Sequence, residues 1–145
     1  MGLRELLIGG ADVESKTLNT GLMTLRATGI ALAFAHGIGK IPPGEGFIGA
    51  ITDLGFPFPA FFAWSAGLSE FLCSLLVALG LLTRPAAAFM LITMLVAYFG
   101  QHAADPFKVK ELAFLYAFIA LTLALTGAGR LSLDHIVRGK LSTHG

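Results

Sequence analysis

The stretch AFFAWSAGLSEFLCSLLVALGLLT, residues 60–83, decides the fold class, because it is a long apolar run that contains one carboxylate, Glu70. A helix needs about 20 mostly apolar residues to cross the hydrocarbon core of a bilayer, and this run is long enough. Glu70 lies about 15 Å along such a helix, close to the middle of a core about 30 Å thick. The stretch predicts a transmembrane helix with an acidic group near the midplane of the membrane.

The composition of the whole chain is typical of a membrane protein. Of the 145 residues, 55% are hydrophobic and 13% are charged, whereas soluble domains carry about 25% charged residues. The net charge of +1 gives no indication of a nucleic-acid partner. The single cysteine, Cys73, excludes an internal disulfide and CxxC dithiol chemistry. We predict a multi-pass protein of the cell (inner or plasma) membrane, surrounded by the lipid bilayer.

Apolar windows predict four transmembrane helices, over residues 21–39, 60–83, 86–102 and 111–129. The segments between them contain the breakers KIPPGEGFIGAITDLGFPFP, TRP and HAADPFKVK. The predicted fold is an all-α, up-and-down bundle of four transmembrane helices. A short surface helix is predicted over residues 3–8, and the segment GFPFPAFFAW predicts an interfacial anchor, with a lid as the alternative.

Basic residues predict that both termini are cytoplasmic, because Lys and Arg are enriched on the cytoplasmic side of membrane helices. The side of the termini and of the TRP turn carries Arg4, Lys16, Arg26, Arg84, Arg130, Arg138 and Lys140. The other side carries Lys40, Lys108 and Lys110. The predicted organisation is a cytosolic segment over residues 1–19, a membrane domain over 20–134 and a cytosolic tail over 135–145.

Small residues mark the faces on which the first two helices pack. They form a stripe of Gly29, Ala33 and Gly37 on the first helix, and such spacing lets helix backbones approach closely. At 100° per residue, the polar side chains within about 80° of this stripe are Arg26, His36 and Lys40. We predict that this face contacts the bundle and that lipid contacts Leu25, Leu32 and Phe34. On the second helix Ala63, Gly67, Glu70 and Ser74 share one sector.

Polar residues of all four predicted helices form one candidate ligand site, which consists of His36, Lys40, Glu70, His102 and Glu111. Ionisable groups inside a membrane are functional candidates by default, because they are costly to bury. The residue types leave open whether Glu70 is protonated or paired with a cation. They also leave open whether the cluster binds a ligand, only holds the helices together, or conducts protons or ions. Haem or metal ligation by the two histidines is disfavoured, because Lys40 would place a positive charge beside the metal.

The last predicted helix ends in TGAGRLSLD, residues 126–134. Its glycines predict a helix stop at Gly127 or Gly129, followed by a turn in which Asp134 pairs with Arg130 or Arg84. A nucleotide-phosphate site is not predicted, because the segment follows a membrane helix and not a strand. We therefore assign a structural role to the residues of the stripe and of the turns, namely Arg26, Gly29, Gly37, Arg84, Arg130 and Asp134.

Several of these motifs together resemble the DoxX family of small four-helix membrane proteins. The motifs are HGIGK, Glu70 followed by ALGLLTR, ELAFLYAF and TGAGRLSLD, and the resemblance covers about residues 20–134. It implies a four-helix membrane fold and an association with quinone oxidoreductases, quinone detoxification or oxidative stress. The lone Cys73 departs from the thiol-dependent members of the family.

Three classes of function follow from the site and the resemblance. In the first, the chain is a subunit of a quinone-linked oxidoreductase, and a partner or a bound cofactor supplies the electrons. In the second, it binds or transports a quinone or a similar small lipophilic ligand. In the third, it is a non-catalytic membrane anchor or assembly partner that recruits a soluble redox enzyme. A redox partner protein or a second copy of the chain is the expected protein partner.

Overall fold

Residues 7–10 and 14–142 are described by the computed structural model of the protein. Within these ranges the chain is helical and contains no strand. Of the surface helix predicted over residues 3–8, only residues 7 and 8 are described. Arg4 also lies outside the described residues.

Four helices of the described part are long and apolar enough to cross a membrane, as the hydropathy pattern predicts. In chain order the helices are α1 (Lys16–Lys40), α2 (Glu45–Asp53), α3 (Pro59–Leu79), α4 (Thr83–Gln101), α5 (Phe107–Thr126) and α6 (Leu133–Ser142). The spanning helices are α1, α3, α4 and α5. The short α2 occupies the long first loop, and α6 crosses the boundary that we predicted between the membrane domain and the tail.

Local sequence signals determine where these helices begin and end. The Ser15 hydroxyl accepts a hydrogen bond from the Leu18 N–H and so caps the start of α1. Pro85 lies in the first turn of α4, as predicted for the TRP turn. Gly80 and Gly127 follow α3 and α5 with φ of 70° and 74°, a backbone conformation that glycine adopts without strain. The predicted helix stop at Gly127 is confirmed.

Glycines bring α1 into close contact with α3. A Cβ atom added at Gly37 would lie 2.5–2.6 Å from the Glu70 carbonyl group, and one added at Gly29 would overlap the Ser74 carbonyl oxygen. These distances are too short for any side chain, so only glycine permits the approach. Gly29 and Gly37 are buried, as are Ala63, Gly67 and Ser74 on α3, so the small residues predicted for both packing faces lie inside the bundle.

The prediction that Leu32 faces lipid is wrong. Leu32 is 2% exposed and belongs to a core that includes Val77, Met90 and Leu123. It lies about 60° from Gly29 around the helix. The buried face of α1 is wider than the glycine stripe, because α1 packs against α5 as well as α3. Leu25 is half-buried, and Phe34 is exposed as predicted.

Three of the spanning helices contain a π-helical turn, in which the backbone bonds run from residue i to i−5. The turns are Ala33–Gly37 in α1, Ser69–Cys73 in α3 and Ala97–Gln101 in α4. In α4, for example, the His102 N–H donates to the Ala97 carbonyl at 2.9 Å. Single π turns occur often at functional sites. His36 and Glu70 lie within such turns, and His102 follows the third directly.

Candidate functional site

An ion pair between Lys40 and Glu70 joins the end of α1 to the π turn of α3. The Lys40 Nζ lies 2.6 Å from each carboxylate oxygen of Glu70. Glu70 is 5% exposed, and its partner keeps the buried charge compensated. The structure therefore contains the paired form of Glu70, one of the two forms that the residue types left open.

Glycine on each helix makes room for this ion pair. Gly37 lies against the backbone of Glu70, and a Cβ atom added at Gly67 would lie 2.8 Å from the Lys40 carbonyl oxygen. The two backbones therefore meet directly beside the paired side chains. The ammonium of Lys40 also lies 5.3 Å from the centroid of the Phe47 ring in α2.

A cavity of about 160 Å³ opens on one side of the ion pair. Its polar lining consists of His36, Lys40, Glu70, His102 and Tyr116, and apolar side chains from α1, α4 and α5 complete it. The structure thus brings four of the five predicted ligand residues to one cavity. His36 lines this cavity and is exposed overall.

A second cavity, of about 230 Å³, also borders the ion pair and lies beneath α2, which contributes to its lining. It shares four lining residues with the first cavity, namely Lys40, Glu70, Ala97 and His102. Lys40 and Glu70 therefore line both cavities. Gln101 and Thr93 add further polar groups to the second cavity.

His102 is oriented by a residue that we did not predict. Its Nδ1 lies 2.7 Å from the Asp105 carboxylate, three residues along the chain. A carboxylate on one ring nitrogen sets which tautomer is favoured and how the ring is oriented. The other nitrogen of the ring is then the one that a ligand can meet. The spacing His-x-x-Asp was the available signal in the sequence.

Glu111, the fifth predicted residue, is exposed and does not line either cavity. Helix α5 instead contributes Tyr116, which is buried. The sequence contained a signal for the face of α5 that carries Tyr116. Ala113, Ala117 and Ala120 form a stripe of small residues there, like that of α1. Among the described residues, no group of three His, Cys, Asp or Glu side chains could hold a metal ion.

A second polar cluster lies at the other end of the bundle, where α3 ends and α4 begins. Its central residue is Asp134, which we expected to pair with Arg130 or Arg84. The Asp134 carboxylate accepts hydrogen bonds from the Leu82 N–H at 2.8 Å and the Thr83 N–H at 3.0 Å. It therefore caps the N-terminus of α4, where the helix dipole favours a negative charge.

Arginine side chains connect the same cluster to backbone carbonyls. Arg26 is buried in α1 and donates to the carbonyls of Ala78 and Leu131. The Arg84 Nε donates to the Ala124 carbonyl at 2.9 Å. The segment TGAGRLSLD is thus attached to α1 through Leu131 and to the start of α4 through Asp134, while Arg84 joins α4 to α5. The Asn19 side chain adds a bond from the Arg130 N–H at 2.6 Å.

Comparison with known proteins identifies relatives of the chain. An uncharacterized protein of Haemophilus influenzae is 39% identical over 77 residues, which are 48% of this chain and 58% of that relative, less than two thirds of its length. A second uncharacterized protein of the same organism is 33% identical over 104 residues, 66% of this chain and 69% of the relative. The inner membrane protein YphA of Escherichia coli is 31% identical over 124 residues, 78% of this chain and 87% of YphA. No solved structure matches the chain.

The profile of the DoxX family matches residues 21–103. This range contains most of α1, all of α2, α3 and α4, and all the polar residues of the first cavity except Tyr116. The described residues contain four apolar helices that are long enough to span a membrane, and the relative YphA is an inner membrane protein. The chain therefore belongs to the DoxX family and is a multi-pass protein of the inner membrane.

Proposed function

We propose that the protein binds the polar head of a quinone, or of a similar small lipophilic molecule, beside the Lys40–Glu70 ion pair. The observation that carries the proposal is a buried carboxylate in a π turn, which is paired with a lysine and borders two cavities. Buried charge that served packing alone would need no adjoining space. A membrane protein retains such costly groups mainly where they have a task.

The chemistry of the cavity suits a carbonyl compound. A lysine ammonium has three N–H donors, so Lys40 can donate to a ligand oxygen while it contacts both oxygens of Glu70. Histidine can donate or accept a proton near neutral pH, and both His36 and His102 line the same cavity. A quinone gains protons at its oxygens when it is reduced, and these residues are the groups that would exchange them.

We further propose that the protein acts as a subunit of a redox system and not as a complete enzyme. Two-electron chemistry requires a cofactor or a redox pair, and the sequence offers one cysteine and no cofactor motif. Electrons would then come from a partner protein, as in a quinone-linked oxidoreductase or an oxidative-stress complex. The family resemblance supports this assignment.

For the orientation we propose an up-and-down bundle with both termini in the cytoplasm. Support comes from the basic residues, because Arg26 and Arg84 contact carbonyls at the end of the bundle that holds Asp134. Lys110, by contrast, donates to the Ala103 carbonyl in the loop between α4 and α5. In this orientation the Lys40–Glu70 site lies toward the external face. Residues 1–19 and 135–145 are proposed as the cytosolic flanks of the membrane domain.

Substitution of Glu70 and His36 tests the binding site. Glu70→Gln keeps the shape of the side chain but removes its charge, so that Lys40 loses its ionic partner. We expect Glu70→Gln and His36→Ala each to lower bound quinone per folded protein at least about fivefold, since a hydrogen bond to a charged group is worth about 1.5–3 kcal/mol. The measurement is mass spectrometry of the molecules extracted from gently purified protein, beside a melting curve.

Two control variants accompany this experiment. Glu45→Gln removes an exposed carboxylate from the start of α2, and His135→Ala removes a histidine from α6, away from both cavities. Both should retain wild-type occupancy. If Glu70→Gln and His36→Ala fold and bind as much quinone as the wild type, the site is not the binding site. A soluble redox enzyme that co-purifies with a quinone-free protein would favour the anchor function instead.

A further inference from the structure

We infer that the ligand of the Lys40–Glu70 site carries an apolar chain, and that this chain lies in a groove between α3 and α4. The inference rests on the proposed function and adds to it the chemical class of the ligand, a chain-bearing quinone. It also adds the route of entry, because the groove opens toward lipid.

The groove has a volume of about 260 Å³ and an apolar lining. Phe61 and Phe62 of α3 face Phe89 and Ile92 of α4 across it, and Ile51 of α2 covers one end. Phenylalanines of the GFPFPAFFAW segment, which we predicted to be an interfacial anchor, therefore form part of its wall.

The polar side chains of the groove are already satisfied. The Ser65 hydroxyl donates to the Phe61 carbonyl at 2.9 Å. The Thr93 hydroxyl contacts the Ser69 hydroxyl at 2.8 Å and the Phe89 carbonyl at 3.1 Å. The hydroxyl protons of Ser65 and Thr93 are therefore already donated within the protein, and the mostly apolar groove fits a hydrocarbon chain.

The groove adjoins the cavities at the ion pair. It shares Ile51, Ala66, Thr93 and Val96 with the cavity beneath α2, and that cavity shares Lys40 and Glu70 with the first one. In the proposed arrangement, a chain attached to a head group beside Lys40 passes Ala66, which lines both spaces, and enters the groove. Ala66 stands at the junction of the two spaces.

The size and the direction of these spaces agree with such a ligand. Pockets that enclose a drug-sized molecule measure about 300–1,000 Å³. The cavity of about 160 Å³ at the ion pair therefore fits a compact head and no more. On α4 the groove runs from Val96 back to Phe89, over about 10 Å toward the middle of a membrane-spanning helix. Phe61 is 65% exposed and Ile92 is 59% exposed, so the outer rim of the groove is open to lipid.

A variant that narrows the junction tests the inference. Lipid tails are as apolar as the groove, so the ligand's chain gains little free energy when it moves from lipid into the groove. A variant that blocks the groove is therefore a sharper test than a series of quinones with different chain lengths. We expect Ala66→Leu to weaken binding of decylubiquinone at least about fivefold, equivalent to about 1 kcal/mol of overpacking. Binding of the parent quinone without a side chain should fall by a smaller factor, because Ala66 does not line the cavity of about 160 Å³ that holds the head. Binding is measured in nanodiscs, and the amount of each quinone is given as its mole ratio to lipid.

Ala88→Leu is the matched control, because Ala88 is exposed on α4 and lines none of the three spaces. It should bind both quinones as the wild type does. A second measurement, on the wild type, uses a quinone with a diazirine at the end of its chain. Photolabelling should concentrate on Phe61, Phe89 and Ile92, and excess decylubiquinone should prevent it.

The outcomes separate the two proposals. If the wild type binds both quinones but Ala66→Leu leaves decylubiquinone binding unchanged, the chain lies elsewhere and only the groove is refuted. Photolabel that spreads evenly over the outer surface, including α5, refutes the groove as well, even if Ala66→Leu fails to fold. If the wild type binds neither quinone, the proposed function fails and the groove assignment fails with it.

Discussion

Asp134 shows how a single residue can hold the end of one helix to the start of another. Its carboxylate is buried and accepts from the N–H groups of Leu82 and Thr83, which have no partner within α4. We expect Asp134→Ala to lower the free energy of unfolding by about 2 kcal/mol, because it removes a cap and leaves buried donors unpaired. Asp134→Asn keeps one acceptor oxygen and should cost less. Unfolding in mixed detergent micelles measures both variants.

The matched control for Asp134 is Asp53→Ala, at the exposed end of α2. A surface substitution of this kind should change the free energy of unfolding by less than about 0.5 kcal/mol. Equal losses in Asp134→Ala and Asp53→Ala would show that the bonds to Leu82 and Thr83 do not stabilise the fold.

At the scale of elements, the contact between α1 and α3 depends on glycines at fixed places. A Cβ atom at Gly37 would lie 2.5–2.6 Å from the Glu70 carbonyl group, and backbone atoms cannot move aside as a flexible side chain can. We expect Gly37→Ala to lower the free energy of unfolding by about 1–3 kcal/mol through overpacking. The measurement is thermal unfolding in mild detergent.

Gly39, two residues further along α1, provides the control for Gly37. A Cβ atom there would meet nothing within 4 Å, so Gly39→Ala should leave stability unchanged or raise it slightly. If both alanine variants melted at the wild-type temperature, the close approach of α1 and α3 would be disproved. Leu32, which the sequence placed on the lipid face, cannot serve as a second control. It lies in the core, so Leu32→Ala would itself lower stability.

The whole molecule has a polar cluster at each end, and the orientation of the chain decides which one the cytoplasm sees. The basic-residue asymmetry predicts cytoplasmic termini and an external Lys108. A green fluorescent protein fused after residue 145 should therefore fluoresce, and alkaline phosphatase inserted within residues 104–109 should be active. Active phosphatase at residue 145 would reverse the orientation and place the Lys40–Glu70 site toward the cytoplasm.

The sequence by itself determined the four spanning helices, the packing glycines of α1 and most of the polar residues of the cavity. Hydropathy and small-residue spacing are properties of each segment, so they can be read without knowing its neighbours. Gly29, Gly37, Glu70 and the stop at Gly127 were all predicted in this way.

Only the tertiary structure decided which of these residues meet. A π turn adds a residue to a helical turn and rotates everything after it, so the 100° rule loses accuracy between Gly29 and Lys40. Three features depend on contacts between different helices. Leu32 is buried, Asp134 caps α4, and α5 contributes Tyr116 to the cavity while Glu111 is exposed. Such contacts join residues far apart in the chain, and no periodicity within one segment encodes them.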